Sequence, residues 1–286
     1  MACSASGGDA ARAAELLQGA RRVLIGAGAG LSAAAGLSYG GERFARNFAP
    51  FIEKYGMTDM YSAGFYPFPS EEARWGYRAR HVWVNRHEPD ALPLYRALHA
   101  FARERDGFVV TTNVDAQFEK AGFLPERLFA VQGDYGLLQC ARSCHDALYP
   151  NRELVARMLA RTEDCLVPSE LVPACPVCGG PMAVHLRVDG RFVENAAWRA
   201  AQKRYRRFVE GVEREPAVLL ELGVGWNTPG IVRFPFEALA RATGAPLVRL
   251  NYDDARLPEG VPGVGLQGDI AELWPLIMSA AGRGKL

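Results

Sequence analysis

Two short-spaced cysteine pairs are the most specific chemistry this chain offers. Cys140 and Cys144 enclose three residues, Cys175 and Cys178 enclose two, and about 30 residues separate the pairs. Pairs at this spacing converge on one tetrahedral ion with sulfur at about 2.3 Å. Four thiolates leave no open position, so the expected ion is a structural Zn2+. It would clip together a segment too small to build much core of its own. Of the remaining cysteines, Cys165 reads as a buried thiol and Cys3 as part of a loose N-terminal tail. His145, beside Cys144, is the substitute ligand.

A second set of residues suits a phosphate-bearing ligand. The run RRVLIGAGAGLSAAAG reads as strand, glycine turn and helix, with Gly26, Gly28 and Gly30 in the turn. Glycine lets a backbone approach phosphate closely, and a helix N-terminus favours its charge. The alternative is a tight turn with no ligand. A dehydrogenase of the usual kind would need a second strand ending in an acid roughly 20 residues on. The helical stretch around Phe51, Ile52 and Glu53 stands there instead, so a dinucleotide fits but hydride transfer in that arrangement does not. In TTNVDAQFEKAG, Asn113 and Asp115 follow a strand's carboxyl end, where open α/β sheets bind ligands; Asp115 also suits a helix cap. In VQGDYGLLQC, Gln132 is either a turn residue or an amide at a reacting centre.

The elements that must position these groups follow from periodicity. Val23 to Ile25, GFVVTT, RLFAV, AVLLELGV, PLVRLN and GVGLQ read as core strands, with helices between them. Strand–helix alternation predicts an α/β fold: a Rossmann-like parallel sheet with helices on both faces. Residues 9–135 and 201–286 form this domain, with a helical insertion at about 42–105. Residues 136–200 form the small zinc-binding module, in which PMAVHLRVDGRFVEN predicts a hairpin turning at Asp189-Gly190. The helix AAWRAAQKRYRRFVEGVER carries Arg199, Lys203, Arg204, Arg206 and Arg207, read as a solvated face. Asp269 caps a last helix that starts at Ile270.

Composition narrows the partners. Apolar residues make up 49% and charged residues 23%, and 33 Lys plus Arg balance 32 Asp plus Glu. No net field steers the chain to nucleic acid or an acidic membrane. No run reaches the roughly 20 apolar residues of a membrane span, and the start does not read as a secretory signal. The expectation is a cytoplasmic protein with reduced cysteines.

Taken together in order, these motifs resemble those of sirtuins over nearly the whole chain. Gly28-Ala29-Gly30-Leu31-Ser32, with Gly36, is similar to the family's GAG-[IL]-S…G turn. Thr111 to Asp115, with Ala121-Gly122, is similar to TQNID…AG. Leu222-Gly223-Val224-Gly225 resembles the GTS strand end; Asn251, Gly268, Asp269 and Ile270 resemble contacts to the adenosine half of NAD. Departures are specific. The deacylases' Pro-Asp-Phe-Arg reads Ser38-Tyr39-Gly40-Gly41 here, and their catalytic His-Gly reads Gln132-Gly133. The segments GDYGLLQC, CPVCGGPM and LELGVGWNTPG resemble the macrodomain-associated, class M branch of microbial sirtuins.

That resemblance implies an NAD-dependent protein ADP-ribosyltransferase that releases nicotinamide, with Asn113 and Gln132 as the catalytic pair. The implied NAD contacts are Gly28, Ala29, Gly30, Leu31, Ser32, Tyr39, Asn113, Asp115, Gln132, Gly223, Gly225, Asn251, Asp269 and Ile270. The implied partners are a lipoylated, glycine-cleavage-H-like acceptor protein and an operon-linked macrodomain hydrolase. The residues agree with a change of reaction. Histidine titrates near pH 6.5, whereas a glutamine amide exchanges no proton near neutrality. General-base catalysis is typically worth about 10² to 10⁴, which a deacylase would lose here. A residual deacylase, an NAD hydrolase and a non-catalytic NAD or ADP-ribose sensor are the alternatives.

Overall fold

The computed structural model describes residues 7–283; Cys3 lies outside them. The elements run in chain order. They begin with α1 (Gly7–Gly19), β1 (Arg22–Ala27), α2 (Ala29–Ala34), α3 (Gly41–Tyr55), α4 (Met60–Ala63), α5 (Glu71–Val82) and α6 (Pro93–Ala102). Next come β2 (Asp106–Thr111), α7 (Gln117–Lys120), β3 (Leu128–Ala130), β4 (Gly133–Cys140), β5 (Tyr149–Pro150), α8 (Arg152–Ala160) and β6 (Met182–Leu186). The chain closes with α9 (Ala196–Glu210), β7 (Ala217–Leu222), α10 (Arg233–Thr243), β8 (Leu247–Asn251), β9 (Gly263–Gln267) and α11 (Ile270–Arg283).

Six strands form one sheet in the order β3-β2-β1-β7-β8-β9. Every neighbouring pair is parallel. β1 lies at the centre, and the period of two explains its unbroken apolar run. Val23, Ile25 and Ala27 point into a core shared with α1, α6 and α11. Leu24 points the other way, into a core closed by α9 and α10. With both faces covered, no polar alternation is needed.

A three-stranded antiparallel sheet, β5-β4-β6, forms a second unit with its own core of Tyr135, Leu138, Val155, Met158 and Val184. β4 starts at Gly133, so this unit opens just ahead of residue 136. The basic helix α9 packs Trp198, Tyr205, Phe208 and Val209 on the large sheet. Its Arg199, Lys203, Arg206 and Arg207 are exposed, and Arg204 donates to Pro125 O at 3.0 Å. The helices between β1 and β2 pack in two places. α3, α4 and α5 share a satellite core of Phe44, Phe48, Phe51, Met60 and Tyr77, whereas α6 puts Leu94, Tyr95, Leu98 and Phe101 into the main core.

The expected hairpin after β6 has only one strand. Asp189 Oδ1 accepts from Arg191 N (2.8 Å), making a turn, but residues 192–195 run without strand pairing. The Gln139 side chain takes their place in the ladder: its Nε2 donates to Arg191 O (2.8 Å) and its Oε1 accepts from Val193 N (3.0 Å). A side-chain amide thus satisfies backbone groups that a strand would otherwise have served.

One face of the large sheet buries charge. Glu221 on β7 and Arg249 on β8 are 0% and 1% exposed. Arg249 Nε and Nη2 each lie 2.9 Å from a Glu221 oxygen, and Nη2 donates to Glu237 Oε1 at 2.7 Å. Arg249 Nη1 donates to Arg256 O (2.7 Å), and Arg233 Nη2 to Asp254 O (2.6 Å), so the cluster holds the loop after β8. Burial pushes the Glu221 carboxyl upward, and the guanidiniums beside it oppose that shift. Removing one partner strands a buried charge, which costs about 3–5 kcal/mol. Arg249→Met is therefore expected to lower the unfolding free energy by an amount in that range, read from urea titrations of the two proteins.

Candidate active site

In an open α/β sheet the ligand crevice lies where the strand order reverses. Here that is the carboxyl end of β1, between β2 and β7. The glycine turn at this point is locked to the end of β7. Gly28 N donates to Leu222 O (3.0 Å) and Gly30 N to Gly223 O (2.9 Å). A Cβ on Gly28 or Gly30 would stand 2.7–2.8 Å from Gly223 atoms, and Gly223 itself has φ +60°. The glycines are thus required by this backbone-to-backbone contact. Leu31 is a core residue whose N–H bonds to Gly28 O. Ala29 is exposed, and no described group accepts from its N–H, leaving that amide for a ligand.

Behind the turn lies a buried polar chain. Ser32 Oγ donates to Asp115 Oδ2 (2.5 Å) and contacts Tyr95 OH (2.9 Å); Asn113 Nδ2 donates to Tyr95 OH (3.2 Å). Asp115 Oδ1 accepts from Gln117 N (3.0 Å), so it serves the start of α7 as well. Burial raises the Asp115 carboxyl's pKa, and the Ser32 and Gln117 donors oppose the rise. Burial also keeps Tyr95 firmly protonated.

Gln132 lies in the turn between β3 of the large sheet and β4 of the small one. Tyr135 N donates to Val114 O (2.9 Å), which ties the start of β4 to the Asn113–Asp115 loop. Gln132 O accepts from Arg187 N (3.0 Å). Its side chain is half-buried and has no hydrogen-bond partner among the described residues. Gly133 has φ +101°, and a Cβ there would sit 2.0 Å from His185 O, so position 133 admits only glycine. The next residue, Asp134, is gripped by Arg86 through Nε (2.7 Å) and Nη2 (3.1 Å).

Tyr39, in the loop between α2 and α3, packs against the small sheet through Tyr135. Its OH lies 2.9 Å from Tyr135 OH. Burial pushes Tyr39 well up and Tyr135 to about 12, so both stay protonated. His81 packs edge-on to both rings, at 5.6 and 4.9 Å. Tyr77 gives its one proton to Met60 O (2.8 Å), so in the 3.2 Å contact with His81 Nδ1 the imidazole donates. Burial, with Arg78 and Arg43 nearby, depresses His81 to about 3. Sequence reading missed Tyr95, Tyr135 and His81, whose positions read as ordinary apolar-face residues of helices or a strand.

The other predicted contacts sit along the far side of the crevice, at the ends of β7, β8 and β9. Gly225 is exposed. Asn251 is occupied internally: Nδ2 donates to Val224 O (2.9 Å), and Oδ1 accepts from Asp253 N (3.0 Å). Asp269 Oδ1 accepts from Ala271 N (2.8 Å) at the head of α11. The Ile270 side chain is in the main core, which leaves only its backbone for a ligand.

The two cysteine pairs do meet. The Sγ atoms of Cys140, Cys144, Cys175 and Cys178 all lie within 4.8 Å of one another. Cys140–Cys178 and Cys144–Cys175 are each 3.7 Å apart. A zinc ion with sulfur at about 2.3 Å gives tetrahedral edges of about 3.8 Å, so the donor set and spacing fit. His145 Nε2 lies 3.7 Å from Cys175 Sγ and contacts Tyr149 OH at 3.0 Å, beside the cluster. Cys165 is buried in the α3–α5 core, away from it. Among the described residues, no helix is long and apolar enough to cross a membrane.

A Staphylococcus aureus protein ADP-ribosyltransferase is 35% identical across 84% of this chain and 76% of its own length. A probable bifunctional ADP-ribose hydrolase/ADP-ribosyltransferase of Fusarium oxysporum f. sp. cubense is 38% identical across 95% of this chain. The chain spans about half of that Fusarium protein, 48% of it. No family model matches. Among solved structures, one reported for the mechanism and regulation of Sir2 enzymes superposes with TM-score 0.62, at 18% identity, over 98% of this chain and 100% of its own. A mutant Sir2 homologue in complex with ADP-ribose gives TM-score 0.62, at 16% identity, over 96% and 97%. At such identities these two likenesses establish the fold.

Two outcomes follow from the site. Chelation at neutral pH is expected to remove one zinc per chain, measured by elemental analysis, with loss of the β4–β6 unit's amide protection in hydrogen exchange. His81 binds a proton more readily when unfolded, so its contribution is complete above pH 6.5 and falls as pH drops toward about 3. The loss is at most about 1.4 kcal/mol per pH unit. The stability gap between wild type and His81→Gln should therefore shift in the variant's favour between pH 7 and 5, as read from denaturant midpoints.

Proposed function

The chain belongs to the family of the S. aureus protein ADP-ribosyltransferase and carries the sirtuin fold, and from that premise we propose that it transfers ADP-ribose from NAD to a protein side chain, releasing nicotinamide. What supports this reading is Gln132: a half-buried amide with no internal partner occupies the position where, by the sequence resemblance, a deacylase carries its base. The bond from nicotinamide to ribose C1′ breaks with its electron pair on the leaving group, and an acceptor oxygen forms the new bond to C1′. An acceptor carboxylate is nucleophilic without losing a proton, so positioning suffices. Gln132 and Asn113 would orient the ribose through hydrogen bonds, with the glycine turn and the ends of β7 and β8 holding the rest of NAD.

The acceptor proposed from the sequence resemblance is a lipoylated, glycine-cleavage-H-like carrier protein. The Fusarium relative's name pairs hydrolase and transferase functions in one protein, which supports a companion macrodomain hydrolase that reverses the modification. Intact-mass analysis of the lipoylated carrier after incubation with the enzyme and NAD tests the proposal. Wild type is expected to add one ADP-ribose. Gln132→Ala and Asn113→Ala are expected to lower transfer by about 10² or more, while NAD binding, read by calorimetry, weakens only modestly. Undiminished transfer by both variants would sink the assignment. Brisk removal of acetyl from a lysine peptide would instead identify a deacylase.

A further inference from the structure

The direction of the hydrogen bonds behind Asn113 can be worked out from proton counting. With Asp115 a carboxylate, the state that the Ser32 and Gln117 donors favour, both its oxygens accept: Oδ1 from Gln117 N (3.0 Å) and Oδ2 from Ser32 Oγ (2.5 Å). Ser32 has one proton, and it goes to Asp115. In the 2.9 Å contact between Ser32 and Tyr95 the tyrosine must therefore donate. Tyr95 has one proton too, so toward Asn113 it can only accept. The Asn113 amide thus faces Tyr95 with Nδ2, whichever way an isolated amide would point. Its Oδ1 must turn away from Tyr95, and no described group donates to it.

From this chain we infer that Tyr95 is a positioning residue, which fixes Asn113 so that its carbonyl oxygen, not its N–H, is presented to the crevice. Tyr95 is 0% exposed and Asn113 8%, so Tyr95 acts from behind and touches no ligand. Its own placement is secured twice. Tyr95 packs edge-on to Phe118 at 4.9 Å. Gln117, beside Asp115, accepts from Leu92 N (2.9 Å) and donates to Asp90 O (3.1 Å), clamping the head of α6 three residues before Tyr95.

The inference rests on the reading of Asn113 as a residue at the reacting ribose. There a carbonyl is the suitable end of an amide. The sugar gains positive charge as nicotinamide leaves, and the negative end of a fixed dipole stabilises that charge without reorganising. It also accepts from a ribose hydroxyl. An N–H at the same point would oppose the developing charge.

Tyr95→Phe tests this, since it keeps the ring and removes the hydroxyl. In 15N-resolved NMR of the ligand-free protein, the Asn113 side-chain amide should show one hydrogen-bonded proton in wild type and lose that signature in Tyr95→Phe; an unchanged amide overturns the inference. In kinetics, Tyr95→Phe should lower kcat for nicotinamide release roughly tenfold with KM for NAD little changed. Asn113→Asp has acceptors at both oxygens and no flip to control. The double variant Tyr95→Phe/Asn113→Asp should therefore be no slower than Asn113→Asp alone; additive losses would mean that Tyr95 acts elsewhere. If wild type cleaves no NAD, the transferase reading falls, and the NMR comparison still decides the role of Tyr95.

Discussion

The crevice depends on one close backbone contact. Gly28 and Gly30 sit directly on Gly223, held by two hydrogen bonds between the β1–α2 turn and the end of β7. Side chains on these residues would force the two strand ends apart. The loops after β1, β2 and β7 would then no longer converge. Ser32, two residues past Gly30, reaches Asp115 only because α2 starts so tightly against β7. The phosphate-binding appearance of the turn is thus at the same time a packing requirement internal to the protein.

The second dependence is the join between the sheets. Tyr135 N to Val114 O, and Arg187 N to Gln132 O, are plain backbone bonds. They tie the β3–β4 turn that carries Gln132 and the start of β4 to the loop of Asn113 to Asp115 and to the end of β6. Tyr39 then reaches across from the loop after α2 to the Tyr135 hydroxyl. The site is a place where three loops are held by backbone bonds and closed by aromatic hydroxyls.

Much of this was legible in the sequence, for physical reasons. Apolar runs such as Val23 to Ile25 mark strands covered on both faces, and cysteines at fixed spacing mark a metal cluster. Asn113 and Gln132 are singled out by the sequence resemblance, in which an amide stands where relatives have a base. What escaped was long-range. Gln139 replacing a strand partner for Val193 has no local signature, so the expected hairpin was half right. Tyr95 lies in LPLYRALHAF at a core-facing position, and its hydroxyl matters only once Ser32 and Asn113 are brought to it. Glu221 and Arg249 sit in apolar strands, where each alone looks misplaced; 28 residues apart in sequence, they answer one another across β7 and β8.

Gln132 is held only through its main chain, and its neighbour Gly133 carries the steric constraint. The architecture is therefore indifferent to which side chain stands at 132. A substitution there leaves the core, the cysteine cluster and the backbone joins between the sheets intact. Change at such a position is mechanically cheap, because its side chain is not part of what holds the molecule together.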